Sequence, residues 1–224
     1  MYCIFARLMT VTLSLTYWKG AFLIMFAVFC AWVFVESRLQ NRKEEQLEAA
    51  YWEREARANS TRRKPIDHLD YITIPDNLYF NLLEKNIETT SIRDTIDGLR
   101  KEQILNLTGY SNTDLKLEYG TANITKLSAC DSNYTILATT LQKWADILLE
   151  NGYQAEAVNI MEFLVSTKVD IGRTYKLLTT YYIDNSMPDK LDDLLETAQS
   201  LKSLNTPYIV SAITDIKSQM EDLI

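Results

Sequence analysis

Apolar and polar positions divide the chain into an amino-terminal apolar run and a longer polar remainder. The run GAFLIMFAVFCAWVFV covers residues 20–35 without a charge, between Lys19 and Glu36. A helix rises about 1.5 Å per residue, so this run and its flanks approach the roughly 30 Å of a bilayer's hydrocarbon core. The pattern predicts a transmembrane helix over residues 20–35, preceded by an amino-terminal tail over residues 1–19.

The flanks of the run carry the residue types that favour a membrane boundary. Trp18 and Trp32 are aromatic rings of the kind found at headgroup depth, and the ammonium of Lys19 can reach outward to water. Two alternatives remain, a buried core helix and a cleaved signal peptide. The bulky residues 33–36 lack the small-x-small pattern of a cleavage site, and this absence favours an uncleaved anchor.

The residues after the run, 36–64, are predicted to continue the helix as a charged juxtamembrane rod. They contain eight basic and six acidic residues, and neither glycine nor proline occurs before Pro65. Their apolar positions form no clean heptad pattern, so a solvated spacer is favoured over weak dimerisation.

Residues 65–130 are predicted to be an entry region of short elements. Ile66–Pro75 alternates and contains β-branched residues, which indicates an extended segment or a short strand. Helical patterns follow over 77–88 and over 91–106, with Ser91 as a candidate N-cap. A further short helix is predicted from Asn112 to Tyr119, ended by a glycine.

Self-similarity begins after residue 131. The segments 141–164 and 175–198 align at one constant offset, and this offset equals the period of about 34 residues that is typical of paired-helix repeats. The offset pairs small or apolar residues in both segments, and it also pairs the two residues that fall between the helices. The pairs are Ala145 with Thr179, Leu148 with Tyr182, Gly152 with Ser186, Ala157 with Leu191, Met161 with Leu195, and Leu164 with Ala198.

On these residues the chain resembles the tetratricopeptide-repeat family. Ala145, Gly152 and Ala157 match the small and turn positions of one unit, whereas Leu164 and the missing closing proline depart from the family pattern. The resemblance implies helical hairpins over 131–224, with a final helix from Thr206 as a cap. It also implies a groove on the first helices that takes a peptide or a partner helix. The groove residues it implies are Gln142, Lys143, Asp146, Arg173, Lys176 and Thr180.

The three basic groove residues are expected to form a spot that can receive a carboxylate. The alternative is that they are ordinary solvated helix positions. The expected fold is therefore all-α, with an anchor helix, a charged helix, short entry helices, a repeat domain and a capping helix.

Charge and cysteine content restrict the partners and the compartment. Residues 65–224 contain 13 basic and 24 acidic residues, a net charge of −11, which argues against nucleic acid as a partner. More basic residues follow the anchor than precede it, so the soluble domain is expected to be cytoplasmic. Cys130, as the only thiol after the anchor, indicates no internal disulfide. Four Asn-x-Ser/Thr sequons, at Asn59, Asn106, Asn123 and Asn133, point weakly toward a lumenal domain.

The sequence contains no motif that indicates catalysis. It has no phosphate-binding glycine loop, no HExxH, no paired CxxC and only one histidine, His68, which lies between Asp67 and Asp70 as a surface residue. We therefore expect no enzyme activity, no cofactor and no metal site. The leading hypothesis is a single-span scaffold that binds the bilayer through residues 20–35 and an unidentified protein or peptide through the repeat domain. The alternatives are a structural protein that forms a weak homo-oligomer through Ala27 and Ala31, and a regulatory or enzymatic domain with an unrecognised carboxylate site.

Overall fold

Helices make up all of the regular structure in the described part of the chain, as the sequence predicts. The computed structural model describes the backbone of residues 2–83 and 87–221, and the side chains of Phe22, residues 24–83 and residues 87–219. The helices are α1 (Tyr2–Ser60), α2 (Ile87–Leu99), α3 (Asn112–Tyr119), α4 (Ile124–Glu150), α5 (Gln154–Ser166), α6 (Gly172–Asp184), α7 (Pro188–Gln199) and α8 (Thr206–Glu221). Short 3-10 turns cover Phe80–Leu83 and Thr121–Asn123.

The chain divides into two compact units, Met1–Arg57 and Ala58–Ile224. In the first unit, the apolar side chains of residues 24–35 are exposed on every side of α1. Within the described side chains, no helix offers a stretch both long enough and apolar enough to cross a bilayer. The predicted transmembrane helix thus gains no support here. Trp32 is exposed, whereas the predictions for Trp18 and Lys19 concern side chains outside the described residues.

The second unit is built around α4, the longest of its helices. α4 buries apolar side chains along its whole length, including Leu137, Leu141, Trp144 and Leu148, and it contacts α2, α3 and α5. The indole Nε1 of Trp144 donates a hydrogen bond of 2.7 Å to the carbonyl oxygen of Leu78, so the ring is both buried and paired. α4 passes without interruption through residue 130, where the sequence indicated the start of the repeat domain.

The entry region differs from its predicted elements. No strand forms among the described residues, and Ile66–Pro75 has no regular structure. Its amide at Ile72 bonds to the carbonyl of Ile104 at 2.9 Å, and the Arg100 guanidinium bonds to the carbonyls of Ile74 and Pro75. These single long-range contacts hold an irregular segment in place. The alternation of apolar and polar residues in the sequence does not predict them.

The helix limits in this region also differ. The predicted helix over 77–88 is a 3-10 turn at Phe80–Leu83, with residues 84–86 outside the described part. α2 already runs through Ser91, so Ser91 is no N-cap, and α2 ends at Leu99 directly after Gly98. Glycine weakens a helix, which accounts for this early end.

Helix α3 has the predicted limits. Ser111 and Asp114 form a capping box, in which the Asp114 amide donates to Ser111 Oγ at 3.2 Å. Gly120 ends the helix with φ of 87°, and a side chain there would collide with the backbone of Arg62. Glycine is required at that position by both the conformation and the space.

The helices α4, α5 and α6 each end in the same left-handed turn, a Schellman motif. The left-handed residues are Gly152 (φ 82°), Lys168 (φ 60°) and Ser186 (φ 52°). Each donates its amide to the carbonyl three residues earlier, and the next residue donates to the carbonyl five residues earlier. Gly152 and Ser186 are related by the same offset as the aligned segments, and the Asn residue before each bonds through Nδ2 to the helix at 2.8 Å.

Two helical hairpins, α4–α5 and α6–α7, therefore follow one another with the same turn. The paired positions from the sequence comparison carry the contacts between helices. Ala145, Leu148, Ala157, Met161, Leu164, Thr179, Tyr182, Leu191 and Ala198 are buried, Leu195 is half-buried, and Gly152 and Ser186 form the exposed turns. Helix α8 begins at Thr206, one further repeat offset after the first residue of α6, and packs on α6 and α7 as a closing helix.

Glycine at either non-glycine turn should stabilise the second unit. A left-handed conformation costs an L residue about 1–2 kcal/mol, and a glycine at the same position avoids this cost. Part of the stabilisation is lost again, because glycine has a larger conformational entropy in the unfolded chain. We expect Lys168→Gly and Ser186→Gly each to raise the free energy of unfolding by about 0.5–1 kcal/mol. Urea denaturation followed by far-ultraviolet circular dichroism measures the change. Gly152→Ala is the matched opposite and should destabilise; a loss of stability in the two glycine variants would contradict the assignment.

Candidate functional site

Three of the predicted groove residues, Gln142, Asp146 and Arg173, lie where the start of α6 approaches α4, and polar contacts join the two helices there. Arg173 Nε donates to Asp146 Oδ1 at 2.8 Å, and Gln142 Nε2 donates to the same oxygen at 3.2 Å. Thr174 Oγ1 donates to Gln142 Oε1, and both of these side chains are buried. Gln142 therefore fixes the position of α4 against α6 and is not available to a partner.

The remaining predicted groove residues contact the outer helices. Lys143 Nζ lies 2.7 Å from Glu88 Oε1 on α2. Lys176 Nζ donates to Tyr208 Oη on α8 at 2.7 Å and lies 4.9 Å from the centre of that ring. Thr180 is exposed, and its hydroxyl returns to a carbonyl of its own helix.

Taken in order, α2, α4, α6 and α8 are joined by these side-chain contacts on what we call the α4–α6 face. Lys143 and Arg173 pair with carboxylates, so the face is less positive than the sequence alone indicates, whereas the partner of Lys176 is a neutral hydroxyl. Arg173 is bonded through Nε, and its two terminal nitrogens form no hydrogen bond with a described residue. An exposed guanidinium with two such nitrogens can still donate two hydrogen bonds to one carboxylate in a bidentate geometry.

The structure also contains a cleft that the sequence did not indicate. It has a volume of about 430 Å³ and lies between residues 70–73, residues 105–110, the end of α5 and the loop from α7 to α8. Ile72, Leu105, Phe163 and Leu201 are its apolar lining residues. The polar ones are Asp70, Tyr71, Thr73, Asn106, Thr108, Tyr110, Ser166, Thr167, Lys168, Ser200, Lys202 and Ser203. These residues come from four separate segments, so no local motif reveals them.

The walls of the cleft are held by specific hydrogen bonds. Asn106 Nδ2 donates to the carbonyls of Thr167 at 2.9 Å and Lys168 at 3.1 Å. Lys202 Nζ lies 4.9 Å from the ring centre of Tyr110. Gly109, with φ of 89°, lets the loop approach closely, because a Cβ there would stand 2.5 Å from Lys202 Cβ.

The two other side chains considered for chemistry are His68 and Cys130. His68 is exposed between Asp67 and Asp70, and no group of three metal-ligand side chains occurs among the described residues. Cys130 is buried, and burial raises the pKa of its thiol, so the thiol is shielded from reagents in the folded chain.

Comparison with known proteins gives no relative. No family model, curated protein or solved structure matches the chain. The resemblance to tetratricopeptide repeats therefore stays a prediction.

Buried tyrosines hold the loop that forms one wall of the cleft. Tyr134 Oη donates to the Thr167 carbonyl at 3.2 Å, and Tyr175 Oη donates to the Val169 carbonyl at 2.8 Å. Burial raises the pKa of Tyr134 to about 12, with nearby Asp170 and Asp131 adding to the rise. Burial likewise raises the pKa of Tyr175.

These pKa shifts predict alkaline unfolding. The neutral phenols are favoured in the folded chain, so their stabilisation is complete below pH of about 10, the unfolded pKa, and is lost as the pH rises through the folded pKa. We expect the urea midpoint to fall from pH 10 to pH 12. Tyr134→Phe/Tyr175→Phe should be less stable at pH 8 and should fall less steeply above pH 10. Tyr51→Phe, at an exposed tyrosine, is the control; an unchanged slope in the double variant would refute the explanation.

Proposed function

We propose that the protein is a membrane-anchored scaffold whose two helical hairpins bind a protein or peptide partner on the α4–α6 face. The observation that carries this proposal is the repeated hairpin, with one turn geometry and one set of buried positions recurring at a constant offset along the chain. Stacked hairpins of this kind bury one face of each helix and leave a continuous side open to partners. This is the architecture implied by the tetratricopeptide resemblance.

The chemistry of the face favours a partner segment that carries a carboxylate. Arg173 donates to Asp146 through Nε, and its exposed side chain leaves the two terminal nitrogens without a hydrogen bond to a described residue. Lys143 and Lys176 flank it, each on a contact that a partner's carboxylate can compete with. The Lys143–Glu88 ion pair is exposed, and such pairs contribute at most about 1 kcal/mol, so exchanging Glu88 for a partner's carboxylate costs little.

Charge reversal on the face should remove partner binding. We expect Lys143→Glu/Lys176→Glu to lose the partner in cross-linking and co-purification from the native membrane. Lys190→Glu/Lys217→Glu is the matched control, because Lys190 and Lys217 pair with Glu162 on α5 and Asp192 on α7, two helices that do not contribute to the face. Equal recovery with both double variants would reject the α4–α6 face as the binding surface.

Membrane attachment is proposed for the amino-terminal part of α1. The support is the uncharged sequence run at 20–35 together with the exposure of every apolar side chain from Ile24 to Val35. Residues 24–35 account for only about 18 Å of helix, so the preceding residues and the aromatic flanks must complete a span of roughly 30 Å. A long exposed apolar surface is rare in a soluble monomer and marks a contact with lipid or protein.

Two of the four sequons support an orientation with the second unit on the cytoplasmic side. Asn123 is 1% exposed, and its Nδ2 donates at 2.7 Å to the carbonyls of both Lys64 and Tyr119. Asn106 uses its Nδ2 to bond to the turn after α5. An N-linked glycan attaches to this same nitrogen and has no room at a buried side chain. A unit glycosylated at these residues during synthesis could not adopt the fold.

Translation in the presence of endoplasmic-reticulum microsomes tests this orientation. We expect the full chain to insert without any endoglycosidase-sensitive shift in mobility. The same chain behind a cleavable signal peptide is the control; it should acquire glycans at Asn106 and Asn123 and lose protease resistance. A glycosylated wild-type chain with a protease-resistant second unit would overturn the orientation.

A further inference from the structure

We infer that the cleft lined by Lys168 and Lys202 binds a small ligand with one anionic group, phosphate or carboxylate, on a short apolar body. This site goes beyond the proposed scaffold function and uses none of the residues of the α4–α6 face. Its volume of about 430 Å³ lies within the range of roughly 300–1,000 Å³ typical of ligand pockets.

The first argument is the residue at the end of α5. Lys168 occupies the left-handed position of a Schellman motif, where glycine is the ordinary residue, and Gly152 fills the equivalent position after α4. Lysine is thus present at a conformational cost. Strained residues of this kind cluster at functional sites, and here the strained residue lines a polar cleft.

The second argument is that contacts in the folded chain hold the Lys168 backbone and the Lys202 ammonium in place. The Lys168 backbone is fixed by Asn106, and Tyr134 fixes the preceding carbonyl. The Lys202 ammonium lies over the Tyr110 ring, 3.4 Å from its hydroxyl oxygen. Side chains and backbone held before a ligand arrives reduce the entropy lost on binding.

The third argument is charge. Several basic residues of the second unit pair with carboxylates, namely Arg100, Lys143, Arg173, Lys190 and Lys217. Neither Lys168 nor Lys202 contacts an acidic group among the described residues. In a unit with a strongly negative net charge, two such ammonium groups on one cleft form a local positive site. Asp70 is the opposing charge in the lining and limits the site to a single anionic group.

The apolar residues that line the cleft indicate that the part of the ligand beyond the anionic group is apolar. Leu105 and Leu201 are buried, and Ile72 and Phe163 are half-buried, so the cleft has apolar surface beneath its polar rim. Free phosphate would leave this surface wet. An aromatic or short aliphatic body would cover it, so phenyl phosphate and benzoate represent the two anion chemistries that the lysines cannot distinguish by charge alone.

Ligand-observed NMR on the full chain in detergent micelles tests the site. We expect saturation transfer to phenyl phosphate, benzoate or both, weaker binding of inorganic phosphate by phosphorus line broadening, and no transfer to neutral phenol. The ratio of the phenyl phosphate and benzoate affinities identifies the preferred anion. Equal binding of phenol would overturn the proposal, because it would show apolar contact alone.

Matched variants separate binding from folding. Lys168→Gly should raise the melting temperature by a few degrees and still weaken phenyl phosphate or benzoate binding by roughly fivefold. Ser186→Gly makes the same backbone change away from the cleft; it should raise the melting temperature and leave binding unchanged. Lys202→Gln should weaken binding, Asp70→Asn should tighten it, and Lys126→Gln should do neither. Unchanged affinity in both Lys168→Gly and Lys202→Gln, or no binding of any anion at millimolar concentration, would refute the site.

Discussion

The left-handed residue at the ends of α4, α5 and α6 is the constraint on which the helical hairpins of the second unit depend. A helix leaves its last carbonyl groups without partners, and a Schellman turn satisfies two of them while it reverses the chain. Gly152 sends the chain from α4 back along itself as α5, and Ser186 does the same from α6 to α7. The two hairpins therefore reverse the chain with the same turn geometry. The reversal brings α5 back against α4, and Ala145 and Ala157 are buried as a result.

The repeat was predictable for this physical reason. Turn chemistry and helix burial are local, so a glycine after an apolar helix and small residues at fixed spacing leave a readable pattern. The all-helical class, the limits of α3 and the start of α8 follow from the same kind of local signal. The constant offset between the two segments also predicted Ser186 as a turn residue, although serine alone would not indicate a left-handed conformation.

The entry region was less predictable because its contacts are not local. The Arg100 guanidinium donates to the carbonyl of Ile74, and Asn123, the residue before α4, donates to the carbonyl of Lys64. The alternation of apolar residues at 66–75 predicted a strand, but no strand forms there. Single side-chain donors hold this segment instead of the regular backbone hydrogen bonds of a sheet. The cleft was missed on the same ground, since its four segments meet only in the folded chain.

The outcome for the predicted groove shows what the family resemblance does and does not determine. The resemblance implies that Gln142, Asp146 and Arg173 lie on one side of the hairpins, and they do lie together. It could not determine whether that side is open, because this depends on the distance between α4 and its neighbouring helix. Because α6 is close enough for Thr174 to donate to Gln142, the Gln142 amide is buried between the two helices, whereas the Arg173 guanidinium stays exposed. A buried polar pair of this kind sets the register of neighbouring helices more than their affinity, because an unpaired Gln142 would cost far more than the pair contributes. The geometry of the proposed partner surface is thus fixed by a residue that the partner does not touch.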